Sequence, residues 1–176
     1  GHQIFSQMRL RGAKIADVAV LVVAIDDSVQ EQTREALEIL QATKTPFVVA
    51  ITKVDKKDMD IGKVKNDLSQ AGVALEGYGG AVSWQAVSSK TGEGIGQLLD
   101  LIILAAEMED LSYQPERSGR GYLLEAKSDS RKGITASVIV MDGTIKVGDQ
   151  ISAGGVSAKI RSLEDCLGRP MQSAAP

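Results

Sequence analysis

Two short polar stretches could do chemistry, and each directly follows an apolar run rich in β-branched residues. Thr52-Lys53-Val54-Asp55 follows Phe47-Val48-Val49-Ala50-Ile51, and Ser88-Ser89-Lys90-Thr91-Gly92 follows residues 81–87. A carboxylate placed like that of Asp55 can accept two hydrogen bonds, from the N1–H and the amino group of guanine. Adenine cannot supply them and would leave the carboxylate unpaired in a dry pocket. The methylene stem of Lys53 can lie over the plane of the base. In the second stretch the small Ser88 and Ser89 let backbone N–H groups approach the base carbonyl oxygen, while Lys90 and Gly92 close the loop. Either stretch alone also reads as a solvated loop or a strand-to-helix turn. Taken together, each ending a hydrophobic strand, they read as a pair of guanine-reading loops.

A phosphate cradle is not encoded beside them. No Gly-x-x-x-x-Gly-Lys-Ser/Thr loop occurs in the 176 residues. Gly62-Lys63-Val64 lacks the upstream glycine and the hydroxyl residue, and no lysine follows Gly94-Ile95-Gly96. Such a loop aims consecutive backbone N–H groups at the phosphates and supplies the hydroxyl that places Mg²⁺.

The loops need a scaffold, and the pattern of apolar residues describes one. Residues 2–14 read as a helix or helical loop. Residues 18–25 and 47–51 are continuous apolar runs of strand length, the signature of strands covered on both faces. Between them, residues 31–42 carry Ala36, Leu37, Ile39 and Leu40 at helical spacing. A short amphipathic helix follows at 62–71, then a glycine turn at 77–80, a third strand at 81–87 and a last helix at 94–109. Ile95, Leu98, Leu99, Ile102 and Ile103 share one face of that last helix. Strands alternating with helices predict βαβ units and a parallel sheet.

After residue 114 the pattern changes. A linker at 115–121 is followed, through residues 122–176, by short strands separated by Gly133, Asp142-Gly143, Gly148 and Gly154-Gly155. That spacing predicts a small antiparallel barrel or sandwich. Trp84 reads as core, Lys56 and Lys57 as solvated surface, and Cys166 as a small, semi-buried apolar residue. The net charge is −3 with both signs interspersed, which argues against a polybasic nucleic-acid arm. No apolar run approaches the roughly 20 residues of a membrane span. A single cysteine and no export signature make a cytoplasmic, membrane-free protein the expectation.

Beyond these patterns the chain resembles a known family. The opening Gly1-His2-Gln3-Ile4-Phe5-Ser6-Gln7-Met8-Arg9-Leu10-Arg11-Gly12-Ala13 is similar to switch II of bacterial-type translation initiation factor two. The likeness continues through Leu21-Val22-Val23-Ala24, Asp26-Asp27, Gln32-Thr33, the two base-reading loops and Thr144-Ile145-Lys146-Val147-Gly148-Asp149. Tyr78-Gly79-Gly80 and the arginine-bearing first segment separate it from the elongation factors. The resemblance implies part of a P-loop GTPase sheet with flanking helices (residues 1–114), followed by a small antiparallel β-barrel domain. It implies that His2 orients the attacking water, that Asp55 reads guanine under the Lys53 stem, and that Ser88, Ser89 and Lys90 form the second base loop. Thr52 stands where the family has asparagine, so a looser site and weaker guanine binding are expected. The implied ligands are GTP and GDP, with Mg²⁺ held by a phosphate loop that would precede residue 1, so this stretch alone is not expected to hydrolyse GTP.

Expected partners are the ribosome, with Arg131, Lys132, Lys146 and Lys159 as candidate contacts to rRNA phosphates, and initiator tRNA through a domain beyond this chain. A nucleotide-independent ribosome- or protein-binding module is the alternative. The family's strand order also makes residues 18–25 an edge strand here, which predicts self-association through that edge.

Overall fold

In the computed structural model residues 2–56, 60–130 and 133–176 are described, with side chains from Arg9 onward. The chain forms two compact units, Gly1–Leu111 and Ser112–Pro176. The first unit alternates helix and strand. Its elements are α1 (His2–Ile15), β1 (Ala19–Ala24), α2 (Glu31–Thr43), β2 (Phe47–Thr52), α3 (Ile61–Gln70), β3 (Trp84–Ala86) and α4 (Ile95–Met108). The three strands form one parallel sheet in the order β1-β2-β3.

The apolar run of β2 is placed where its composition demands, between two neighbours and under helices. Val48, Val49, Ala50 and Ile51 are buried to 2% exposure or less. Around Val49 and Ile51 cluster Leu21, Val23 and Ile25 from β1 and its end, Leu37 and Leu40 from α2, and Val64 and Leu68 from α3. Each such fully buried aliphatic side chain contributes about 1.5–3 kcal/mol of transfer free energy. Local signals set the helix ends. The Asp60 carboxylate caps α3 by accepting from the Gly62 N–H at 2.7 Å, and Lys44 closes α2 in the left-handed conformation, two residues before Pro46.

The third strand is shorter than the predicted 81–87. Residues 74–82 fold back on themselves, with Val82 N–H donating to Ala74 C=O at 3.0 Å and Glu76 N–H to Val82 C=O at 2.9 Å. The approach is so close that a Cβ on Gly80 would lie 2.0 Å from the Ala74 carbonyl oxygen. The register with β2 begins at Trp84, after Ser83 C=O accepts the Val49 N–H at 2.9 Å. Trp84 packs against the core cluster as expected. In addition, the Lys65 ammonium sits 3.6 Å from the Trp84 ring centre and 4.5 Å from that of Tyr78, and donates to the Tyr78 hydroxyl at 3.2 Å. Lys65 is 9% exposed, so two ring faces and a hydroxyl take the place of water around it.

Along α4 the apolar face splits. Leu98 and Ile102 are half-buried, whereas Ile95, Leu99 and Ile103 are exposed. Among the described residues no helix is long and apolar enough to cross a membrane.

The second unit is antiparallel. β4 (Arg120–Asp129) and β5 (Gly133–Asp142) form a long hairpin, and β7 (Gln150–Ala153) pairs with β8 (Val156–Lys159) across Gly154-Gly155. Both of those glycines have positive φ, as a tight two-residue hairpin turn requires. Short ladders join β6 (Ile145–Lys146) to β11 (Ser173–Ala174), and β9 (Leu163–Glu164) to β10 (Pro170–Met171). The strand predicted from residue 122 begins at Arg120, because Gly121 can lie against β5, where a Cβ would meet the Ile139 carbonyl oxygen at 2.2 Å. Asp142 accepts from the N–H groups of Gln114 and Gly143, each at 2.9 Å, and these bonds hold its carboxyl below the usual range. A cavity of about 510 Å³ is lined by Arg120, Leu123, Ile151 and Ile160, among others. Cys166 is exposed, not semi-buried as its type suggests. It sits in a turn tied by Asp165, which accepts the Leu167 and Arg169 N–H groups.

The outer side of β1 is open among the described residues. Ala19 and Ile25 donate backwards to Pro46 and Thr52, so the odd positions of the strand face β2. The N–H and C=O groups of Val20 and Val22 therefore face outward, and their side chains are 38% and 60% exposed. An uncharged, β-branched edge of this kind is a pairing template. Val20→Lys is expected to lower the mass measured by light scattering in concentrated solution. Unchanged scattering would show that the edge does not pair.

Candidate functional site

Because β1, β2 and β3 are parallel, the loops after all three strands emerge at one edge of the sheet. The register places Ala24 beside Thr52 and Ile51 beside Ala86, so residues 25–28, 52–56 and 87–94 are neighbours in space. Backbone bonds lock them: Ile25 N–H donates to Thr52 C=O at 3.0 Å, Val87 N–H to Ile51 C=O at 2.8 Å and Val54 N–H to Val87 C=O at 3.4 Å.

The two stretches singled out by their chemistry meet through a side-chain bond. The Ser88 hydroxyl donates to Asp55 Oδ1 at 2.6 Å. Ser88 is fully buried, and its oxygen also accepts the Lys90 and Thr91 N–H groups at 3.2 Å each. The serine therefore organises its own loop and orients the carboxylate. Asp55 itself is exposed, and a carboxylate has about four acceptor positions, so it keeps capacity for a ligand's donors. The Ser88 bond, first among the causes, holds the Asp55 carboxyl below its ordinary value of 3.8, with the Lys90 and Lys56 charges acting in the same sense. Gly94 starts α4 at a φ of 73°, and a Cβ there would lie 1.9 Å from the Ala86 carbonyl oxygen. Ser89 and Lys90 are exposed at the head of the loop, and Thr52 is half-buried at the end of β2.

Lys53 adopts a φ of 64°, unusual for a residue with a side chain, and its ammonium reaches back to the loop after β1. It donates to Asp26 Oδ1 at 2.8 Å, Asp26 Oδ2 at 3.0 Å and Asp27 Oδ2 at 3.2 Å. Lys56, exposed as its sequence position suggests, also pairs with Asp26. The two lysines hold Asp26 far below the carboxylate range, and Asp26 above all raises Lys53 from its usual 10.5. Neither acid was singled out by the sequence patterns, although an Asp-Asp pair directly after a parallel strand lies at the ligand edge by construction.

His2 is the first residue of α1, and its side chain lies outside the described residues, as do Lys57, Arg131 and Lys132. Lys146 and Lys159 are exposed on β6 and β8 of the second unit. Among the described residues no group of three or more His, Cys, Asp or Glu side chains could hold a metal ion, and the Asp26 carboxylate is already neutralised by lysines. The edge offers a ligand the free acceptor positions of Asp55 and the exposed Ser89-Lys90 loop head, and no carboxylate cluster for Mg²⁺ lies among the described residues.

A parallel sheet whose carboxyl edge carries this pair of loops is the architecture of a GTP-binding domain. The sequence model of the elongation factor Tu GTP binding domain matches residues 1–108, and the chain belongs to that family. Over its whole length it is similar to translation initiation factor IF-2 of Microcystis aeruginosa, at 44% identity, and of Thermoanaerobacter sp., at 45%. It covers 17% and 25% of those proteins, so it spans about a quarter of their length or less. Among solved structures it is similar to GDP-bound aIF5B from Aeropyrum pernix, with a TM-score of 0.79 and 25% identity. That match covers 99% of this chain and 38% of the other.

The depressed Asp55 pKa carries a sign that can be checked. A group whose folded pKa is lowered adds stability above its unfolded value of 3.8, and this is lost as pH falls through the folded value. Ser88→Ala is expected to lower the denaturation midpoint more at pH 7 than at pH 3. An equal loss at both pH values would mean that the Ser88–Asp55 bond contributes nothing beyond loop packing.

Proposed function

We propose that this chain is the base-recognition part of a GTP-binding translation initiation factor, one that promotes ribosomal-subunit joining with initiator tRNA and hydrolyses GTP. The observation that carries the reading is the Ser88–Asp55 bond of 2.6 Å, which ties two base-reading loops into one site at the carboxyl edge of the sheet. The similarity to IF-2 over all 176 residues supports the translation role.

In this reading Asp55 receives the N1–H and amino group of guanine, and Ser89 at the loop head offers its N–H to the carbonyl oxygen. The stem of Lys53 covers one face of the ring. Adenine has a bare N1 acceptor there and would confront the carboxylate, which explains selectivity without any size difference between the bases. Thr52 supplies one hydroxyl where an asparagine amide would offer several bonds, so the loops are tied less firmly. His2 would orient the attacking water in the assembled enzyme, a positioning role that needs an anchored γ-phosphate. The phosphates and Mg²⁺ would be held outside residues 1–176. Lys146 and Lys159, with Arg131 and Lys132, are the cations offered to rRNA phosphates, and a cytoplasmic location accords with that partner.

The rival reading, a ribosome- or protein-binding module with no nucleotide, draws on the missing phosphate loop motif and on Thr52. Titration calorimetry separates the two. Losing charge-assisted bonds worth about 1.5–3 kcal/mol predicts that GDP binds roughly ten- to a hundredfold better than ADP. Asp55→Ala is expected to remove the difference, and equal binding of the two nucleotides by the unaltered chain favours the rival. Phosphate release from GTP by residues 1–176 is expected to stay at background with and without ribosomes. Turnover by the purified chain would place a phosphate site within it.

A further inference from the structure

We propose that Asp26 is a positioning residue for the base site, holding the Lys53 ammonium so that the lysine stem stands as a fixed bar over the base. This rests on the guanine-reading assignment of Asp55 and extends it to a third loop, the one after β1.

The geometry fixes Lys53 at both ends. At its backbone, the left-handed φ of 64° is held within a turn closed by Lys56 N–H donating to Lys53 C=O at 3.1 Å. At its tip, the ammonium engages both oxygens of Asp26, at 2.8 and 3.0 Å. Asp27 adds a third contact at 3.2 Å, but its side chain is 62% exposed against 18% for Asp26, so water screens the Asp27 pair far more. Asp26 is the stronger anchor, and Lys56 on the same carboxylate holds it in place from the other side.

The anchor is itself held. Ala24 C=O accepts the N–H groups of Asp27 and Ser28, at 3.2 and 2.8 Å, which closes the turn that carries Asp26. The Ser28 hydroxyl donates to Asp67 Oδ2 on α3 at 2.6 Å, fastening that turn to the helix that follows the lysine loop. Lysine has one of the largest side-chain entropies to lose on ordering. When the stem is ordered before the ligand arrives, that loss no longer counts against binding. The charge balance agrees, because Asp26 is held ionised and Lys53 protonated far beyond neutral pH.

The test is a double-mutant cycle on the whole chain, with GDP and ADP as probes. Asp26→Asn is expected to weaken GDP about three- to tenfold and to weaken ADP by the same factor, because a stem over a ring does not distinguish the bases. In a Lys53→Met background Asp26→Asn is expected to change nothing further. Additive losses would mean that Asp26 acts on the loop and not through Lys53, and would overturn the proposal while leaving Asp55 as the base reader. No preference for GDP in the unaltered chain would overturn both. Titration of Lys53 by side-chain NMR gives a readout without nucleotide: Asp26→Asn should bring its pKa down towards 10.5, and an unchanged value overturns the anchor. Should Asp26→Asn fail to fold, Asp26→Glu keeps the charge. It is expected to retain the raised Lys53 pKa and most of the GDP affinity, and loss of affinity with the ion pair intact would again count against the proposal.

Discussion

The parallel pairing of β2 between β1 and β3 is the constraint on which the first unit depends. Six residue pairs join β1 to β2 and three join β2 to β3, all in one direction. Burial of Val48 through Ile51 stabilises the arrangement, since a strand this apolar loses its advantage unless both faces and both edges are covered. The direction of pairing then decides the rest. Helices must return each chain to the starting end, and the loops after the strands collect at the opposite edge. The loops carrying Asp55 and Ser88 thus meet because of the hydrophobic strands beneath them.

At that edge the charges are arranged in two layers. Buried Ser88 orients Asp55 and satisfies two loop amides at once through a single hydroxyl. Outside it, Asp26 gathers Lys53 and Lys56 from a loop about 30 positions away in the chain. Exposed ion pairs of this kind contribute little to stability in isolation. Their value here lies in geometry, because they set where a flexible lysine rests. The buried Lys65 between Trp84 and Tyr78 is a different case, a charge kept away from most water by ring faces and a hydroxyl, which fixes α3 against the start of β3.

The second unit is stabilised differently. Its strands pair in antiparallel ladders, and among the described residues Ile145 is its one buried hydrophobic. Apolar side chains such as Tyr122, Leu123 and Ile134 remain exposed. Backbone ladders and turn-closing carboxylates, those of Asp142 and Asp165, carry more of its local order than a shared core does.

By itself the sequence determined the order and type of the main helices and strands of the first unit, and it offered Asp55 and Ser88 as candidates for base recognition. Strand runs, helical spacing, the Asp60 cap and glycine turns are local patterns, read at periods of two and 3.6 residues. Residue type alone also limits what a carboxylate and a small loop can recognise. Tertiary structure decided what no local pattern contains. Asp26 and Lys53 are 27 positions apart, and only the register of β1 against β2 brings them together. The third strand was shortened because Gly80 lets residues 74–82 close on themselves before pairing with β2 can begin. Lys65 left solvent because α3 packs where Trp84 emerges. In each case the deciding contact lies between elements, and its energy exists only once the sheet and helices have been brought into place.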